Sequence, residues 1–80
     1  MDTGGAVRDR IQALCQERGL TVNKLATISG VTQSTVNNIV SGRNNSTTVA
    51  TVKKLCDGLG ITLGEFFSTP EFDALEQEII

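Results

Sequence analysis

The chain lacks most of the residue types that enzymes use for catalysis. Its 80 residues include no histidine, tyrosine or tryptophan, and no carboxylate lies between Glu17 and Asp57. No nucleophile is paired with a base, and no glycine-rich loop is present to hold a phosphate group. Cys15 and Cys56 are too few and too far apart in sequence to bind a metal ion. We therefore expect no enzymatic activity, no cofactor and no metal site.

Long hydrophobic runs are also absent. No segment approaches the ~20 consecutive apolar residues that a membrane-spanning helix needs. The opening segment, MDTGGAVRDR, contains no apolar region typical of an export signal. The sequence therefore predicts a cytoplasmic protein that does not enter the membrane. Its length suits one small domain and leaves no room for a sensor domain, so we expect no small-molecule effector.

Charge is distributed unevenly along the chain. The net charge is −2, from 7 basic and 9 acidic residues. The span from Glu17 to Asp57, which is free of acidic residues between its ends, contains Arg18, Lys24, Arg43, Lys53 and Lys54. Residues 65–80 show the reverse pattern, with acidic residues and no basic one. The negative net charge alone argues against binding a polyanion. A basic middle with a separate acidic end is nevertheless compatible with such binding.

Apolar residues recur at helical spacing, and no segment shows the alternation typical of a strand, so the sequence predicts an all-α fold. The first helix carries an apolar stripe formed by Val7, Ile11, Leu14 and Cys15. The next helices begin at predicted threonine caps, namely Thr21, Thr32, Thr48 and Thr62. In the fourth helix we expect five residues to face inward: Val49, Val52, Leu55, Cys56 and Leu59. Gly58 and Gly60 are expected to close that helix.

The stretch from Leu25 to Gly42 carries the clearest functional signal. It contains two short helical patterns separated by Gly30, and the second buries only Val36, Ile39 and Val40. The other face of that second helix consists of Gln33, Ser34, Thr35, Asn37, Asn38 and Ser41. Solvated helix faces usually carry lysine and glutamate, whereas amide side chains can bond adenine through two hydrogen bonds. This face is therefore typical of a surface that reads base edges.

From Leu14 to Phe67 the chain resembles the lambda-repressor-like, Xre/Cro-type helix-turn-helix family. The matching segments are LCQERGLTVNKLA, SGVTQSTVNNIVSG and TVATVKKLCDGLGITLGEFF. In this pattern the small Ala26 lets the second and third helices cross closely, and Gly30 permits the turn between them. The resemblance implies a compact five-helix DNA-binding domain over residues 1–68. Residues 69–80 are then expected to form a short extra C-terminal helix, acidic on its exposed side.

The resemblance also implies a role for individual residues on double-stranded DNA. In this family the third helix enters the major groove with its N-terminal end toward the bases. The base-facing candidates are Thr32, Gln33, Ser34, Asn37 and Asn38, and Gln33 matches a position that bonds adenine in phage relatives. The phosphate-contacting candidates are Lys24, Arg43 and Asn44. For Asn44 and the neighbouring Asn45, an ordinary solvated loop remains an open alternative.

Two departures from the family pattern affect this interpretation. Val22 occupies a position where relatives often carry a glutamine that contacts phosphate. The valine side chain cannot do so, but backbone amides at residues 21–23, at the start of the second helix, could still bind phosphate. Cys15 and Val40 occupy positions where many relatives carry a partly buried arginine–glutamate pair. Replacing both ends of such a pair by apolar residues is often neutral or stabilising. We therefore expect Cys15 to be a structural core residue.

Two functions remain open on the sequence alone. We favour a bacterial or phage transcription regulator that binds a palindromic operator as a homodimer. The alternative is an antitoxin-like protein-interaction module that docks through its acidic end. The apolar residues of the last predicted helix are Phe72, Leu75, Ile79 and Ile80. They either cap the monomer core or contact a second subunit, and we favour the second because a two-fold operator requires a dimer.

Overall fold

Helices account for all the regular structure in residues 2–79, which are the residues that the computed structural model describes. Six helices form within this range, and no strand does. Their bounds are Thr3–Arg18 (α1), Val22–Ser29 (α2), Gln33–Val40 (α3), Val49–Leu59 (α4), Leu63–Phe67 (α5) and Pro70–Asp73 (α6). The predicted all-α class is confirmed. None of these helices is both long and apolar enough to cross a membrane.

Threonine side chains start four of the helices, as the sequence predicts. The hydroxyl of each accepts a hydrogen bond from a backbone N–H three residues later, at Thr21, Thr32, Thr48 and Thr62. At α5 the bond is reciprocal, because the Glu65 carboxylate also accepts from the Thr62 N–H at 3.0 Å. Each such cap contributes about 1 kcal/mol to helix stability. The helix boundaries are therefore encoded locally.

The core lies where α1 to α5 meet. Its buried residues are Val7, Ile11, Leu14, Cys15, Leu25, Ala26, Val36, Ile39, Val52, Leu55, Cys56, Leu59 and Phe66. Val40 is half-buried and packs against the same cluster. Burial raises the pKa of both cysteine thiols, so they remain protonated within the core. The expectation that Cys15 is a core residue is confirmed.

Two predictions about α4 are wrong. Val49 does not face inward: it is the first residue of the helix and is 67% exposed, and the buried stripe begins one turn later at Val52. Gly58 does not close the helix, because α4 continues through Leu59 and ends at Gly60. A Cβ on Gly58 would collide with the Ser29 hydroxyl and lie 3.0 Å from the Ser29 Cα. Gly58 therefore permits α2 and α4 to approach each other closely.

The C-terminal helix is shorter than the sequence predicts. It ends at Asp73, and residues 75–79 are not helical, so the apolar stripe through Leu75 and Ile79 does not form. Phe72 is half-buried, with its ring centroid 4.9 Å from that of Phe67. Ile79 is 85% exposed, and Ile80 lies outside the described residues. A short isolated helix is unstable in water, and only its first turn is held against the core here.

Asp2 caps α1 and also ties it to a distant part of the chain. One carboxylate oxygen accepts from the Gly5 N–H at 2.7 Å, and the other accepts from the Asn45 side-chain amide at 2.8 Å. The bond from Asn45, followed by that from Gly5, lowers the pKa of Asp2 below its usual value. The charged form of Asp2 is therefore favoured in the folded state.

We predict that Gly58→Ala destabilises the protein by about 1–3 kcal/mol, because the added methyl group forces α2 away from α4. Gly64→Ala is the matched control: its Cβ meets only the Thr62 hydroxyl, at an ordinary 3.7 Å. That substitution gains about 0.5–1 kcal/mol of helix propensity. Urea denaturation measures both values. Equal stability of the two variants contradicts the close packing at Gly58.

A second prediction concerns acid stability. Because folding lowers the pKa of Asp2, its stabilising contribution is present above the unfolded pKa and is lost as pH falls through the folded pKa. The natural protein should be more stable than Asp2→Asn by a difference in the free energy of unfolding that declines below about pH 4. The asparagine of the variant is a helix cap that does not titrate, so all other carboxylates cancel in the comparison. A difference that is independent of pH is inconsistent with the Asp2 contacts.

Candidate nucleic-acid interface

The turn between α2 and α3 is built on the predicted glycine. Gly30 adopts a left-handed conformation with φ of +67°, and the next amide, Val31 N–H, bonds to the Ala26 carbonyl at 3.1 Å. Residues that carry a side chain rarely adopt this backbone conformation, so glycine is favoured at this position. Ala26 and Val36 are both fully buried. The small Ala26 lets α3 pack closely on α2, and the polar face of α3 is left in solvent.

Three of the predicted base-facing residues are free to contact a ligand. Gln33, Ser34 and Asn37 are exposed, and within residues 2–79 their side chains make no hydrogen bond. The Thr32 hydroxyl is engaged, because it accepts from the Thr35 N–H at 3.2 Å and bonds the Thr35 hydroxyl at 2.7 Å. Asn38 is half-buried. The available amide and hydroxyl groups therefore lie on the first turns of α3.

Lys24 and Arg43 are exposed and have no protein partner among the residues described. Lys24 lies in the first turn of α2, and Arg43 lies in the loop that follows α3. Lys54 is likewise exposed, but other basic side chains are already engaged: Arg10 donates to the Phe66 carbonyl at 2.8 Å, and Lys53 pairs with Asp57. The charge available for an anionic ligand is therefore smaller than the count of basic residues indicates.

The two asparagines after Arg43 hold the α3–α4 loop, residues 41–48. Asn44 is half-buried; its N–H donates to the Asn38 carbonyl at 2.9 Å, and its side-chain oxygen accepts from the Ser46 N–H at 3.0 Å. Asn45 donates to Asp2, as described above. The Asn44 side chain therefore keeps only its NH₂ group for a contact with a ligand.

Helix α1 also contributes to this loop, which no sequence pattern indicates. A Cβ on Gly42 would lie 3.3 Å from a guanidinium nitrogen of Arg8, which places Arg8 beside the start of the loop. The Arg8 guanidinium also pairs with Asp9 at 3.4 Å, with both side chains partly exposed. Asp2 and Arg8 lie more than thirty residues from the loop in sequence, so no local pattern could reveal these contacts. Residues 2–79 contain no cluster of thiols and carboxylates able to hold a metal ion.

Comparisons with known proteins agree with this geometry. A family model described as helix-turn-helix, HTH_3, matches residues 11–66. The transcriptional repressor RghR of Bacillus subtilis is 43% identical over 53 residues, which are 66% of this chain and 39% of that protein. The transcriptional regulator PuuR of Escherichia coli is 36% identical over 70 residues, 88% of this chain and 37% of that protein. The chain thus spans less than two fifths of the length of each of these two regulators.

Solved structures show the same fold. The crystal structure of the prophage Lp1 protein 11 matches with a TM-score of 0.80 and 37% identity, covering 94% of this chain and 100% of that one. An HTH_3 family transcriptional regulator from Vibrio cholerae matches with a TM-score of 0.74 and 28% identity, covering 81% of this chain and 36% of that one. The chain belongs to the HTH_3 family, the Xre and lambda-repressor-like helix-turn-helix regulators that bind DNA.

Proposed function

We propose that this protein regulates transcription as a homodimer that binds a palindromic operator, with one α3 in the major groove of each half-site. The observation that carries the proposal is the exposed, unbonded set of Gln33, Ser34 and Asn37 on a helix whose opposite face is fixed in the core. Rigid placement matters because base reading needs hydrogen-bond groups at defined positions. Such a regulator acts in the cytoplasm, where bacterial DNA lies.

Gln33 is the proposed principal base-reading residue. It is the first residue of α3, next to the cap, and a glutamine can bond the N6 and N7 groups of adenine together. Ser34 and Asn37 extend the same face, whereas Thr32 and Asn38 play supporting roles at its edges. The short polar side chains suit this task because they occupy little volume in the groove.

Phosphate contacts are proposed for Lys24, Arg43 and the first amides of α2. The Val22 side chain is half-buried and packs against the core, which is consistent with the loss of the family's glutamine at this position. The Thr21 hydroxyl accepts a hydrogen bond from the Lys24 N–H, and the N–H groups of Val22 and Asn23 remain available to an anion. Asn44 is proposed to add its side-chain NH₂ group.

The acidic C-terminal segment is proposed to cap the core of its own subunit. Phe72 packs on Phe67, α6 lies beside α1, and the Glu78 carboxylate accepts from the Thr3 hydroxyl. These contacts of Phe72 and Glu78 with α5 and α1 support the capping role. Dimerisation is then assigned to another surface of the domain.

We predict that Gln33→Ala weakens binding to the true operator by about 1–3 kcal/mol and hardly changes binding to random DNA, because only a base contact carries sequence information. Selection from a random pool first identifies the operator. Fluorescence anisotropy then measures both affinities. Equal losses on the two DNAs show that Gln33 does not read a base.

We further predict that Arg43→Ala weakens binding to both DNAs and reduces the slope of log K against log salt by about one for each subunit. Lys54→Ala is the matched control: it removes the same charge from an exposed lysine on α4, outside the proposed interface. An identical effect of both substitutions means that only net charge matters and that Arg43 contacts no phosphate. No retention on any DNA at low salt contradicts the proposed function.

The last prediction here tests the C-terminal segment. Truncation after Ser68 should leave the dimer intact by analytical ultracentrifugation and lower the melting temperature, because the packing of Phe72 is lost. Phe72→Ala should reproduce most of this effect, with a loss of about 1–3 kcal/mol for a half-buried ring. A stable truncated monomer with weakened operator binding assigns the segment to the dimer interface instead.

A further inference from the structure

We propose that the first turn of α1 positions the phosphate-contacting loop, with Asp2 and Gly4 acting through Asn45 to set the place of Arg43. The inference rests on the proposed function, because it concerns how Arg43 reaches DNA. In this assignment Asp2, Gly4 and Asn45 are positioning residues and do not themselves contact DNA. We call these three residues the α1 anchor.

The first component of the α1 anchor is a hydrogen bond between the loop and the residue that caps α1. Asn45 lies two residues after Arg43, and its side-chain amide donates to the Asp2 carboxylate at 2.8 Å. The other Asp2 oxygen accepts from the Gly5 N–H, so the orientation of the carboxylate is fixed by the helix that it caps. The loop is therefore bonded to a group that is itself held in place.

The second component is steric. A side chain at Gly4 would collide with the main-chain oxygen of Asn45 and with its side-chain oxygen. The loop backbone thus lies directly on the first turn of α1, at a distance that only glycine permits. This contact and the Asp2–Asn45 bond together hold Asn45 against the first turn of α1.

The rest of the loop is held by contacts that agree with this arrangement. Arg8, one turn further along α1, lies beside Gly42 at the loop's start. Asn44 is bonded through its N–H to Asn38 at the end of α3. Arg43 thus presents a free, charged side chain from a segment that is fixed on both sides. A loop that is ordered before binding loses less conformational entropy when it meets a phosphate.

The test measures whether Asn45 acts through Arg43. Asn45→Ala is made in the natural protein and in Arg43→Ala, and each protein is titrated with a random-sequence duplex at low salt. We expect Asn45→Ala to weaken binding about three- to tenfold when Arg43 is present and less than about twofold when it is absent. Gln16→Ala, which removes an exposed amide from the far end of α1, should leave binding unchanged.

A second measurement follows the loop without DNA. Hydrogen exchange at the amides of residues 42–47 should become faster in Asn45→Ala and in Gly4→Ala, and Gly64→Ala should show no such change. Unaltered exchange in Asn45→Ala overturns the proposal, as does an equal loss of DNA affinity with and without Arg43. If Arg43→Ala binds DNA as well as the natural protein, the phosphate role of Arg43 fails, and this proposal fails with it.

Discussion

The close packing of α2 against its neighbours is the constraint on which the rest of this domain depends. A helix of eight residues has little stability alone, and α2 is ordered because it contacts α1, α3 and α4. Leu25 and Ala26 are fully buried at this junction, and Gly58 admits Ser29 on the opposite side. Small residues at these contacts let α3 and α4 pack closely against α2. The direction in which α3 presents its polar face follows from that geometry.

The local features of the fold could be predicted from sequence because they depend on residues a few positions apart. Threonine caps bond amides three residues away, the turn at Gly30 requires one backbone conformation, and the polar face of α3 follows from helical spacing. The polar face of α3 indicated Gln33, whereas Arg43 became a candidate only through the resemblance to the helix-turn-helix family. The proposed site is thus largely readable from a segment of about twenty residues around the turn.

What could not be predicted depends on contacts between distant parts of the chain. Val49 fits an inward-facing stripe by spacing, but it lies at the end of α4, away from the core. Gly58 is typical of a helix end by composition, yet its role is set by Ser29, which belongs to another helix. The bond from Asn45 to Asp2 joins residues 43 positions apart. Helical periodicity cannot reveal such pairs, because it describes only one element at a time.

The choice of threonine for the helix caps has an electrostatic consequence. A hydroxyl cap leaves the positive end of the helix dipole unneutralised, and α2, α3 and α4 have no acidic residue in their first turns. An acidic protein with a sequence pI near 4.9 can thus keep an anion-compatible surface using few lysines and arginines. Under the proposed function, few basic side chains displace few counterions from DNA, so non-specific genomic sites compete only weakly for the protein. In that proposal, discrimination between DNA sites depends on the polar face of α3 and little on charge.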